Sequence, residues 1–157
     1  MRYEEYIIVA ALTAGILSKY SRRQAALAFG YAIIVAEFTW LFPSPMVFAK
    51  VGYDWWYVAC ACAEATIIMV AWLISAPSSP YVALCSTINL LLNLIRGYFY
   101  MRHSDFMYSV YGTVVPTMEA LQVVALYMFS WPVVYVWRLV KNKNKGGRSN
   151  HELRGCV

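Results

Sequence analysis

The sequence predicts an all-α, polytopic integral membrane protein, a bundle of about five transmembrane helices, or four if the first does not span. Three observations lead there. Of 157 residues, 61% are hydrophobic and 13% charged, whereas an average soluble domain has roughly 45–50% apolar and about 25% charged residues. Several uninterrupted apolar segments approach the roughly 20 residues that a helix needs to cross a bilayer. Aromatic residues make up 17% of the chain, and many lie near the ends of those segments, where rings favour the headgroup region.

The first segment, residues 3–20, is the shortest. Its uncharged stretch from Tyr6 to Ser18 rises about 20 Å, so it spans only with help from Tyr3 and Tyr20. A cleaved signal peptide fits poorly, because Glu4 and Glu5 occupy the place of positive charge and basic residues follow the apolar run. The second segment is expected from Gln24 to Phe42 and is ended by Pro43-Ser44-Pro45. The third, Trp55 to Ser75, and the fourth, Tyr81 to Tyr100, are separated by Ala76-Pro77-Ser78-Ser79-Pro80, a connection short enough to make them antiparallel neighbours. The fifth is expected from Thr113 to about Val136, with Pro132 kinking or ending it near Trp131. One domain, 1–140, thus precedes a basic, disordered tail, 141–157.

Orientation follows from the cations. Of 13 Lys and Arg, nine fall in two clusters: Lys19, Arg22 and Arg23, and Arg138, Lys141, Lys143, Lys145, Arg148 and Arg154. An even number of crossings separates the clusters, so they share a side, and the positive-inside rule makes it cytoplasmic. The expected location is the inner (plasma) membrane, with a cytoplasmic C-terminus and with the loops Pro43 to Asp54 and Met101 to Gly112 facing outward. Lys141, Lys143 and Lys145 suit anionic lipid headgroups. The clusters flank apolar segments, so the net charge of +5 reads as a topology signal and not as nucleic-acid binding.

Chemistry is sought among polar groups inside the apolar segments, since each costs several kcal/mol unless paired, hydrated or neutralised. These are Glu37, Glu64, Asn89, Asn93, Arg96, Glu119 and Gln122. By helical rise Glu64 lies about 14 Å and Glu119 about 9 Å from the outer ends of their helices. Asn89, Asn93 and Arg96 are spaced i, i+4, i+7 and form one stripe; Glu119 and Gln122 share a face, as do Cys60 and Glu64. The functional reading is a hydrated cavity or pore, open outward, in which Arg96 pairs one carboxylate and another takes up a proton or cation. The competing reading is that these contacts only hold helices together, at about 0.6–2 kcal/mol each.

Other features carry less. Cys60, Cys62, Cys85 and Cys156 have neither disulfide-framework nor zinc spacing, and the seven Met are scattered. No cofactor or metal is expected. His103 and Asp105 read as a solvated loop pair. Gly15, Gly30 and Ala26 read as sites of close helix approach. No nucleophile–base pair, HExxH, phosphate loop or paired-carboxylate motif is present, which argues against an enzyme. The leading expectation is a small, non-enzymatic inner-membrane protein that self-associates and alters permeability as a pore, channel or lesion. In small size, several hydrophobic helices and a basic C-terminus it resembles phage holins in general plan, with no motif to carry the likeness. The alternatives are a proton-coupled transporter of a small solute, using Glu64 or Glu119, and an adaptor or exclusion factor that binds another membrane protein. The expected partners are the lipid bilayer, a second copy or another membrane protein, and protons or small cations.

Overall fold

The structure is a computed structural model that describes residues 3–18, 21–41, 53–100, 105–130 and 133–141, which form helices and short turns with no strand among them. In chain order the helices are α1 (Tyr3–Leu17), α2 (Arg22–Leu41), α3 (Tyr53–Ile74), α4 (Ser79–Tyr100) and α5 (Asp105–Met128), followed by α6 (133–141).

Local chemistry sets their ends. Glu4 and Glu5 occupy the first turn of α1, where negative charge meets the exposed N–H groups. The Ser21 hydroxyl accepts the Gln24 N–H at 3.2 Å, capping α2. Ser75 ends α3 in the left-handed region, φ 51°, a conformation common just past a helix, and donates its hydroxyl to Trp72 O at 2.8 Å. The Ser79 hydroxyl accepts the Ala76 N–H at 2.8 Å, and Pro80 follows in the first turn of α4, where no backbone donor is needed.

Each helix packs against its neighbours in sequence, and α1 also packs against α5, so the five close into a ring. Successive helices alternate in direction, which makes the closing α1–α5 seam parallel. There the Tyr3 hydroxyl donates to Pro116 O at 3.0 Å, tying the start of α1 to the middle of α5. Small residues permit the other approaches. A methyl group at Gly15 would stand 3.0 Å from the Phe29 ring, and one at Gly30 would stand 3.3 Å from Val70 Cγ1.

The half of the ring nearest the α3–α4 turn is solid. Leu27, Ala28, Ala71, Val82 and Leu126 are fully buried there, and Gln24 clamps three elements together. Its Nε2 donates to Leu126 O at 3.0 Å, while its Oε1 accepts from Ser78 Oγ at 2.9 Å and Ser78 N at 3.3 Å. The outer surface is apolar instead of polar: Trp40, Trp72 and Leu73 are each more than 70% exposed. Among the described residues, three helical stretches, Arg22–Leu41, Trp55–Ile74 and Ser109–Met128, are long and apolar enough to cross a membrane.

Two elements differ from expectation. The fifth segment, expected over 113–136, is helical from Asp105 to Met128, and a separate helix resumes at 133. Gly112 does not delay its start, since one glycine weakens a helix by only about 1 kcal/mol relative to Ala. The early end fits the Ser130-Trp131-Pro132 sequence, and Ser130 N–H turns back to Tyr127 O at 2.9 Å. α1, with 15 residues, is shorter than the roughly 20 that a crossing takes; the fourth segment is a 22-residue helix that carries Ser86, Thr87, Asn89, Asn93 and Arg96 among its apolar residues. The loop 42–52, residues 101–104 with His103, and the tail with Lys143, Lys145 and Cys156 lie outside the described residues.

Candidate functional site: an acidic cavity closed at one end

Opposite the solid half, the ring encloses a half-open cavity of about 320 Å³ to which all five of its helices contribute. Three carboxyl-bearing residues line it, Glu4 from α1, Glu64 from α3 and Glu119 from α5.

Two of the lining residues, Glu64 and Tyr31, belong to a hydrogen-bonded network from four helices that lies behind the cavity wall. Asn89 Nδ2 on α4 donates to Glu64 Oε1 at 3.0 Å, and Gln122 Nε2 on α5 donates to Glu64 Oε2 at 3.3 Å. The same Gln122 nitrogen donates to Ser86 Oγ at 2.7 Å. Tyr31 on α2 donates its hydroxyl to Gln122 Oε1 at 2.7 Å. The arrangement has one consistent polarity. A carboxylate accepts only, so both amides must present nitrogen to it, and the Gln122 oxygen is left for Tyr31. All of these residues are buried. Asn89 Oδ1 alone among the buried side-chain atoms described has no partner.

Nearer the open end, Asn93 donates Nδ2 to Asn89 O at 2.9 Å and accepts from the Tyr111 hydroxyl at 2.8 Å. Tyr111 meets Tyr57 edge-on, with centroids 5.4 Å apart. Arg96 lies against Tyr57, its Nε donating to the hydroxyl at 3.4 Å and its guanidinium carbon 5.9 Å from the ring centroid.

Of the residues singled out in the sequence, Glu64, Asn89, Asn93 and Gln122 therefore meet in one network, and Glu119 joins the same cavity. The hydrogen bonds to Glu64 come from neutral groups, Asn89 and Gln122, so Arg96 is not what holds this carboxylate. Glu37 is exposed on α2 and stands apart from the cavity lining. Lys141 is exposed on α6, its ammonium 4.9 Å from the Trp137 ring centroid.

Several contributors were not singled out: Glu4, Tyr31, Ser86, Tyr57 and Tyr111. Ser86 extends the polar stripe of α4 by one turn (i, i+3, i+7, i+10), and Tyr111 extends that of α5. Tyr31 lay within an all-apolar stretch, with no contrast between faces to mark it. Comparison with family models, curated proteins and solved structures returns no match.

Proposed function

We propose that the protein is a small, non-enzymatic, multi-pass protein of the inner membrane, its five ring helices crossing the bilayer with the C-terminus cytoplasmic, and that it is a proton-coupled transporter of a small solute. Burial supports the crossings by α1 and α4. The polar stripe Ser86, Asn89, Asn93 and Arg96 turns inward while Leu84, Leu91 and Leu94 face out, and α1 buries Ile7, Ala11 and Ala14 while exposing Tyr6, Val9 and Ile16. A lipid-facing surface needs apolar side chains on the outside only. α6, with exposed Tyr135, Trp137 and Val140 beside Arg138 and Lys141, has the composition of an interfacial helix bound to anionic headgroups.

The observation that carries the transport reading is a carboxyl, Glu64, at the closed end of an acidic cavity, held by neutral donors. Such a group can exchange its proton for a cation arriving from the open end. Its partner Asn89 is built to follow. When Glu64 is ionised Asn89 presents its nitrogen; when Glu64 carries a proton, a rotation of the Asn89 amide lets the orphaned Oδ1 accept it. Glu119, Glu4, Tyr31, Cys60 and Tyr111 are the other titratable groups lining the cavity, and Arg96 is the nearest buried cation on α4. A conducting pore through one chain would need the polar path to continue past Leu27, Val82 and Leu126, where the ring is solid.

The test is reconstitution in vesicles holding a pH-sensitive dye, challenged with a panel of small cationic, zwitterionic and neutral solutes. We expect saturable, solute-dependent proton movement that is lost in Glu64→Gln. Proton and dye leakage without any solute would overturn this reading in favour of a pore.

A further inference from the structure

Resting on the reading just given, the geometry points to an organic ammonium ion carrying an apolar substituent as the ligand of the cavity. Among the described residues, no group of three His, Cys, Asp or Glu side chains lies close enough to hold a metal ion. The carboxyls of Glu4, Glu64 and Glu119 thus surround the space without converging on a point, which suits a cation with a body. The volume of about 320 Å³ lies at the small end of the range for organic ligands, about 300–1,000 Å³.

The walls supply the rest of the recognition. Tyr31, Phe38, Trp56 and Tyr111 line the cavity together with aliphatic side chains such as Val35 and Ile67. Phe38 and Trp56 pack at 5.6 Å between centroids, tilted by 55°, so that two aromatic rings from α2 and α3 border the space shared with Glu119 of α5. Aromatic faces attract cations, most strongly when both are shielded from water, and the Arg96 guanidinium beside Tyr57 is an instance within this same bundle. An ammonium N–H can in addition donate to the Glu64 carboxyl at the closed end.

The experiment is equilibrium binding of labelled benzyltrimethylammonium to the full chain in detergent. This probe has a permanent charge, so it separates charge recognition from partition of a neutral amine; a primary homologue, phenethylammonium, can in addition donate N–H. We expect saturable binding of both, tighter for phenethylammonium, displaced by neither rubidium nor benzyl alcohol at equal concentration. Trp56→Leu should weaken benzyltrimethylammonium by about tenfold, the scale of a shielded cation–aromatic contact, and Glu119→Gln by at least as much. Displacement by rubidium, or equal binding of benzyl alcohol, in the wild-type protein would overturn the proposal whether or not the variants fold. If the vesicles show Glu64-dependent proton movement with another solute while neither ammonium probe binds, the ligand class is wrong and the transport reading stands; a pore-like leak removes both.

Discussion

At the scale of single residues, the question is what each buried polar atom would lose. Glu64→Gln removes a charge but keeps size, and the new amide nitrogen faces a former donor. The orphaned oxygen of Asn89 absorbs that conflict by rotation of its amide, so we expect thermal unfolding in detergent to report a stability within about 1 kcal/mol of wild type, with function lost. Glu64→Ala cannot be absorbed. It strands the Asn89 nitrogen and removes an acceptor of Gln122, for a loss of about 1–3 kcal/mol. Tyr31→Phe takes away the only described donor to Gln122 Oε1 and should cost a similar amount. If Glu64→Gln proved as unstable as Glu64→Ala, the amide-rotation argument would fail.

At the scale of elements, the strongest joint away from the cavity is Gln24, which bridges α2, the α3–α4 turn and α5. Gln24→Leu leaves Ser78 N–H and Leu126 O buried without it, and we expect a drop of about 2 kcal/mol or more in stability by the same unfolding measurement. At the end of α3, Ser75→Gly should hold wild-type stability within about 1 kcal/mol, whereas Ser75→Val should lose about 1–2 kcal/mol, because a branched side chain resists positive φ. Much of this architecture was legible. Proline and serine clusters marked the α3–α4 turn, and helical spacing placed Asn89, Asn93, Glu119 and Gln122 on inward faces. Two things were not. The start of α5 was hidden because a single glycine suggests a break, yet it weakens a helix by only about 1 kcal/mol relative to Ala, too little to end it. The partner of Glu64 was hidden because a helical stripe gives the face of a residue but not its height against the next helix: Glu64 stands level with Asn89, and Arg96 stands level with Tyr57.

At the scale of the whole molecule, the proposed crossings place the segments 42–52 and 101–104 outside and the α3–α4 turn inside. In a variant with the native cysteines replaced, a membrane-impermeant maleimide should label Pro45→Cys and Ser104→Cys on intact cells and Ser75→Cys only after permeabilisation; labelling of all three on intact cells would refute the arrangement. The odd number of helices in the ring has an electrical consequence. Helices that alternate in direction cancel one another's macrodipoles in pairs, but five leave one uncancelled, about half an elementary charge at each pole. The parallel α1–α5 seam locates the imbalance: α1, α3 and α5 all point their positive ends toward the cavity end, and only α2 and α4 point theirs the other way. A carboxyl-rich cavity and the acidic first turn of α1 stand at the positive pole, while Arg22, Arg23 and Arg138 stand at the negative one. The backbone dipoles of the ring therefore leave a net axial dipole, which those of four or six alternating helices would not.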